Sequence, residues 1–111
     1  MPQVADLNRL FKVLADPTRR AVVERLGRGA TATSELARPF DMALPSFLQH
    51  LEVLEDVGLV TSKKDGRVRT YRLTPQPLQA VEDWMTTQRR LWERRLEQFD
   101  EYVRTLKETE Q

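Results

Sequence analysis

Apolar residues at Val4, Leu7, Leu10, Phe11 and Leu14 recur at three- and four-residue steps, the period of a helix that buries one face. Asp16-Pro17 stops that pattern and restarts it. Asp16 offers a side-chain oxygen to cap a second helix, and Pro17 suits its first position, where no N–H is needed. Ala21, Val22 and Leu26 carry this helix to an exit at Gly27 and Gly29. Thr31 and Thr33 are the expected caps of a brief third helix through Leu36 and Ala37, ended by Pro39. After a turn at 41–44, Pro45 opens a fourth helix. Its buried face is Phe47 or Leu48, Leu51, Val53 or Leu54, and Val57, and Gly58 stands where a left-handed residue ends it.

The period then changes from helical to alternating. Residues 59–63 and 68–73 read as two strands flanking Lys64-Asp65-Gly66-Arg67, with Asp65-Gly66 as the hairpin turn. Thr74-Pro75 starts a last helix, Pro77 still lies in its first turn, and no breaker intervenes before about Lys107. At ~1.5 Å per residue this rod is roughly 45–50 Å long, more than a small domain needs.

Along that rod Leu78, Val81, Met85, Trp92, Leu96, Phe99, Val103 and Leu106 alternate three- and four-residue steps once Gln88 is counted as a polar member. Such a seam packs one helix on another. Trp84, Leu91 and Tyr102 widen the stripe beyond one partner's reach. The expected arrangement is a homodimer joined by the first and last helices, with Leu7, Phe11, Leu78, Val81, Met85, Trp92, Leu96, Phe99 and Val103 in the interface. The alternative is a last helix folded back over its own core.

A length of 111 residues fits one domain. The absence of cysteine excludes a disulfide framework, a thiolate metal site and a cysteine nucleophile. A single histidine, His50, excludes a histidine-rich zinc site. No apolar run is long enough to span a membrane and no leader pattern opens the chain, so the expected location is the cytoplasm. The net charge of +1 hides an uneven distribution. Residues 62–72 carry Lys63, Lys64, Arg67, Arg69 and Arg72 against Asp65 alone, whereas residues 96–111 are acidic. One basic hairpin on a near-neutral chain points to a localised anionic partner.

Short helices followed by a basic hairpin make the layout of a winged helix-turn-helix. A helix fits the major groove of DNA, and a hairpin beside it reaches phosphates or the minor groove. The competing interpretation of the hairpin is a solvated, charge-protected sheet edge.

The chain resembles the ArsR-type winged helix repressors of bacteria from about Leu10 to Leu73. The resemblance is carried by the run Leu14 to Arg20, by Ser34-Glu35-Leu36-Ala37, by Pro45, by the run His50 to Val60, and by Gly66-Arg67 through Tyr71-Arg72-Leu73. It implies a homodimer that binds a palindromic DNA operator and represses transcription, often releasing DNA when an inducer binds. The implied fold is mainly α with a small β-hairpin (α+β), one winged helix-turn-helix domain over residues 1–111. Within it, residues 1–15 form an N-terminal dimerisation helix and residues 16–73 the DNA-binding core. The wing lies at about 59–73, and residues 74–108 form the long C-terminal dimerisation helix.

By the same resemblance the run Leu44 to Leu54 is the recognition helix, with Leu44, Ser46, Phe47, Gln49 and His50 toward the groove. Gln49 is suited to grip adenine with two hydrogen bonds, and Ser46 to bond a base or a phosphate. His50 is either a phosphate donor or a helix-packing residue. Arg67 and Arg69 resemble the wing arginines, with Lys63 and Lys64 as backbone contacts. Strand alternation sends Arg67 and Arg69 to one face, which Tyr71 shares in principle. Arg20 is expected on a phosphate, and Arg19 equally in an ion pair with an acidic residue of the last helix.

Family members that sense metals use cysteines on the third helix, or histidines and carboxylates on the last. Here Ser34 to Arg38 has no thiol and the last helix no histidine, so neither metal nor cofactor is expected. Ala43 stands where a capping Ser or Thr is usual, Leu44 and Leu48 where polar residues are common, and Glu52 where lysine is frequent. The wing is therefore expected to carry most of the salt-dependent affinity, with Leu44 or Phe47 meeting thymine methyls. A second reading makes Leu44, Phe47 and Leu48 a docking surface for a partner protein. A small-molecule effector of unidentified chemistry has Trp84, Trp92 and Phe99 as its candidate lining. No glycine-rich phosphate loop or nucleophile elbow supports an enzyme.

Overall fold

The computed structural model describes residues 6–109. Its elements run α1 (Leu7–Leu14), α2 (Pro17–Leu26), β1 (Thr31–Ala32), α3 (Thr33–Ala37), α4 (Leu44–Asp56), β2 (Val60–Asp65), β3 (Val68–Leu73) and α5 (Pro75–Thr109). Val4 lies outside the described residues. By compactness the chain divides into two units, residues 1–80 and 81–111.

The break between α1 and α2 is made as the sequence indicates. Asp16 accepts a 3.0 Å hydrogen bond from the Arg19 N–H, and Pro17 occupies the first turn. Asp6 caps α1 in the same way. At the end of α4, the Gly58 N–H reaches the Glu55 carbonyl and the Leu59 N–H the Leu54 carbonyl, at 2.9 and 3.0 Å. Gly58 has φ +80°. This paired closure satisfies two orphan helix carbonyls and requires a left-handed residue between them. Leu54 and Leu59, which flank the closure, are both fully buried, so the turn into β2 is anchored in the core.

The sheet has three antiparallel strands in the order β1-β3-β2, one more than the expected hairpin. Thr31 and Thr33 are not caps of α3. Ala32 precedes that helix without a side-chain cap. Thr31 is buried, pairs with Tyr71 across the sheet and donates to the Gly29 carbonyl. Thr33 donates to the Arg69 carbonyl. Two residues of pairing give no alternation to read, so the third strand left no pattern in the sequence.

The hairpin is also tighter than expected. Asp65 pairs with Val68, leaving Gly66-Arg67 as the two-residue loop in place of Asp65-Gly66. Gly66 takes φ +65°, and no residue other than glycine among those described has positive φ. A glycine at the first loop position followed by an ordinary residue matches the twist of a right-handed hairpin.

The core of the first unit joins Leu10 and Val13 of α1, Val22 and Leu26 of α2, Leu36 of α3, Phe47, Leu51 and Leu54 of α4, and Leu59, Val60 and Tyr71 at the sheet. The open choices in α4 resolve to Phe47 and Leu54; Leu48 is exposed and Val53 half-buried. α5 runs for 35 residues and buries none of them.

Candidate nucleic-acid interface

The rotation of α4 is set by Phe47, Leu51 and Leu54, which lie on one face at three- and four-residue spacing and are at most 1% exposed. Ser46 and Gln49 therefore point outward, and Leu44 and Leu48 stay exposed beside them. Phe47 does not. It was expected toward the groove but is sealed in the core, with its ring centroid 5.2 Å from that of Phe40. A Phe at this register belongs to the apolar stripe, leaving no ring surface for a base.

His50 is also turned from the groove, toward the corner between α1 and α2. Its Nδ1 lies 3.2 Å from Arg19 Nη1 and 3.8 Å from Asp16 Oδ2. A guanidinium only donates, so Nδ1 is the acceptor in the Arg19 contact, whereas an N–H at Nδ1 would face the Asp16 carboxylate instead. Burial acts to raise the Asp16 carboxyl. The Arg19 and Thr18 backbone N–H groups, with the His50 and Arg19 charges, outweigh it and hold the carboxyl below the usual carboxylate value.

Two arginines of α2, Arg19 and Arg20, close the end of α1. Arg19 Nε donates to the Val13 carbonyl at 2.8 Å. Arg20 Nη1 donates to the Leu14 and Ala15 carbonyls at 2.8 and 3.0 Å. The last carbonyls of a helix lack partners and carry partial negative charge, so cations settle there. Arg20, expected on a phosphate, is tied to this helix end. Arg19 sits at the corner formed with Asp16, Val13 and His50.

The pleat sorts the wing into two faces. The register pairs Ser62 with Tyr71 and Lys64 with Arg69, while Lys63 pairs with Thr70 and Thr61 with Arg72. Lys64, Arg69, Ser62 and Tyr71 share the face that covers α4; Lys63 and Arg72 lie on the other. Tyr71 does share a face with Arg69, as alternation suggested, but it is buried, whereas Arg69 is exposed. Arg69 Nη1 donates to Ser62 Oγ at 2.8 Å, and Ser62 Oγ donates to Glu55 Oε2 at 3.0 Å.

Two grooves meet at this wing. One, of about 600 Å³, opens between α3, the start of α4 and the hairpin, where Ser34, Arg38, Leu44, Arg67, Val68 and Arg69 line it and no carboxylate does. The other, of about 430 Å³, separates α4 from the wing and sets Glu52 and Glu55 against Lys64, Arg67 and Arg69. Ser34 and Arg38 in the first groove, Glu55 in the second, and Ser62, which bonds Glu55 and Arg69, were not among the expected site residues. Arg38 directly follows the Ser34-Glu35-Leu36-Ala37 motif and was legible there. Glu55 and Ser62 meet only through the hairpin register.

A family model described as a helix-turn-helix domain matches residues 14–63, from the end of α1 into β2. The HTH-type transcriptional regulator Rv2034 of Mycobacterium tuberculosis is 40% identical over 96 residues, covering 86% of this chain and 87% of that protein. The transcriptional repressor SdpR of Bacillus subtilis is 30% identical over 79 residues, covering 71% and 88%. The crystal structure of an ArsR family transcriptional regulator superposes with a TM-score of 0.75 at 56% identity, covering 78% of this chain and 90% of that one. The chain belongs to the ArsR-type winged helix-turn-helix regulators. That family consists of DNA-binding transcription regulators, not enzymes. In this ArsR-type chain the described residues contain no group of three or more His, Cys, Asp or Glu side chains placed to hold a metal ion. None of their helices is long and apolar enough to cross a membrane.

Proposed function

We propose that this ArsR-type protein is a homodimeric transcriptional repressor of the cytoplasm that binds a palindromic DNA operator without sensing metal. The observation that carries the reading is the groove where α3, α4 and the wing meet. Three arginines, Arg38, Arg67 and Arg69, converge there beside the exposed Leu44, with no carboxylate among its lining residues. In this reading α4 enters the major groove, Ser46 and Gln49 bond base edges, and Leu44 packs on a thymine methyl. Arg67, Arg69 and Lys64 face the phosphates, while Lys63 approaches them from the other side of the hairpin.

The dimer is supported by α5. A 35-residue helix that buries no residue, while Trp92, Leu96, Phe99 and Tyr102 remain exposed, gains its stability from a partner surface. Val81, Met85 and Val103 lie along the same helix, and in this reading Leu7, Phe11 and Leu78 join the dimer interface as well. Repression is the activity named for SdpR. The donor set of the chain, lacking thiols and holding one imidazole, supports regulation by something other than a soft metal ion.

The test is fluorescence anisotropy on duplex DNA from the protein's own upstream region, over a salt series and against random duplex. The expected result is two chains per duplex, specific binding and a steep salt slope. Equal affinity for random DNA, together with a wing whose charge reversal changes nothing, would favour docking of a partner protein on Leu44 and Leu48.

A further inference from the structure

Arg67 and Arg69 differ in how they are held. Arg67 occupies the hairpin loop, exposed, and makes no side-chain hydrogen bond or ion pair among the described residues. Arg69 is the first member of a chain of bonds that ends on the recognition helix. A hydroxyl has one proton and two lone pairs, so Ser62 can accept from Arg69 while donating to Glu55. Both supports are rigid. Glu55 sits in the last turn of α4, whose closure is anchored by Leu54 and Leu59. Ser62 lies opposite the buried Tyr71 in the sheet.

We propose that Glu55 is a positioning residue that limits DNA affinity: through Ser62 it holds the Arg69 guanidinium toward α4, and a DNA phosphate must take that guanidinium from it. The acceptor that a phosphate must displace is the Ser62 hydroxyl, which Glu55 holds in place by accepting its proton, and a charged phosphate is the stronger acceptor for a guanidinium. Glu55 lines the groove together with Lys64, Arg67 and Arg69, which keeps its charge beside the Arg69 guanidinium. The relay is solvent-exposed, which makes it a brake of modest strength rather than a lock. Tyr71 registers the same neighbours. Burial raises its phenol, Glu55 adds to that, and Arg69 and Ser62 act against it. The proposal rests on the DNA-binding reading above.

The experiment is a salt-series titration of a fluorescein-labelled DNA duplex with wild type, Glu55→Gln and Ser62→Ala, each also combined with Arg69→Ala. Asp65→Asn controls for loss of any wing carboxylate. Glu55→Gln and Ser62→Ala are each expected to bind roughly two- to fivefold tighter, the scale of an exposed ion pair. The slope of log affinity against log salt should steepen by about 0.9, one added phosphate contact. The gain should vanish in the Arg69→Ala background, because the two residues act through one path. Unchanged or weaker binding by Glu55→Gln overturns the proposal, as does a gain that survives without Arg69. If wild type itself fails to bind duplex DNA at low salt, the DNA reading falls and the brake with it. Bound wild type with an indifferent Glu55→Gln removes the brake alone. Ser62→Ala carries the test should Glu55→Gln lower the melting temperature.

Discussion

Arg19 Nη1 and His50 Nδ1 lie 3.2 Å apart, joining α2 to α4 through a permanent cation and the chain's single histidine. The same guanidinium donates to the Val13 carbonyl. One side chain thus ties the end of α1, the start of α2 and the middle of α4, which fixes the angle at which α4 is presented. Arg19→Ala should cost roughly 1–3 kcal/mol, the range for lost bonds to a charged group, read by urea denaturation. Arg19→Lys should recover only part of this, since an ammonium cannot reproduce the planar fork.

Asp16 makes that corner sensitive to acid. Its folded carboxyl lies below the ordinary value of 3.8. The unfolded chain therefore takes up the proton first, and the carboxylate stabilises the fold above its unfolded value. That contribution is lost as pH falls through the folded value. Denaturation midpoints from about pH 5 to about pH 2 should fall less steeply for Asp16→Asn than for wild type, because Asn keeps the helix cap without the charge.

Phe47 and Gln49 stand two residues apart in α4 and should separate stability from binding. Phe47→Ala empties a core position and should cost about 3–5 kcal/mol in thermal or urea melts. Gln49→Ala should leave the melt within about 0.5 kcal/mol of wild type and lower the preference for operator over random duplex.

Arg67→Ala should weaken binding to specific and random DNA alike and reduce the salt slope by about 0.9, measured by anisotropy. The exposed loop predicts no comparable loss of stability.

Trp92→Asp with Phe99→Asp should shift the protein from dimer to monomer in sedimentation velocity and lower its α5 helicity in circular dichroism. Both residues are exposed along a helix that buries none of its own residues. Retention of a tight dimer would place the interface elsewhere.

Much of this architecture was legible because it rests on local rules. Asp16-Pro17 announced a helix start, Gly58 a helix end and Gly66 a hairpin loop, each through a backbone need that few residues meet. What escaped depended on register. β1 is too short to alternate, and Glu55 reaches Ser62 only when β2 pairs with β3 as it does. Phe47, offered both to the core and to the groove, and His50, offered both to a phosphate and to helix packing, stayed open for a related reason. Along α4 many apolar residues crowd together, and one hundred degrees per residue decides which of two adjacent side chains the core takes.

The division of Lys63 from Lys64 constrains how this wing can change length. A strand places successive side chains on opposite sides, so one inserted residue in β2 would exchange the two lysines and carry Ser62 away from α4. Insertions of two would lengthen the hairpin and preserve its chemistry. The wing can therefore grow or shrink only in even steps, and libraries or relatives that vary it should show pairs of added residues, with odd changes absorbed in the Gly66-Arg67 loop.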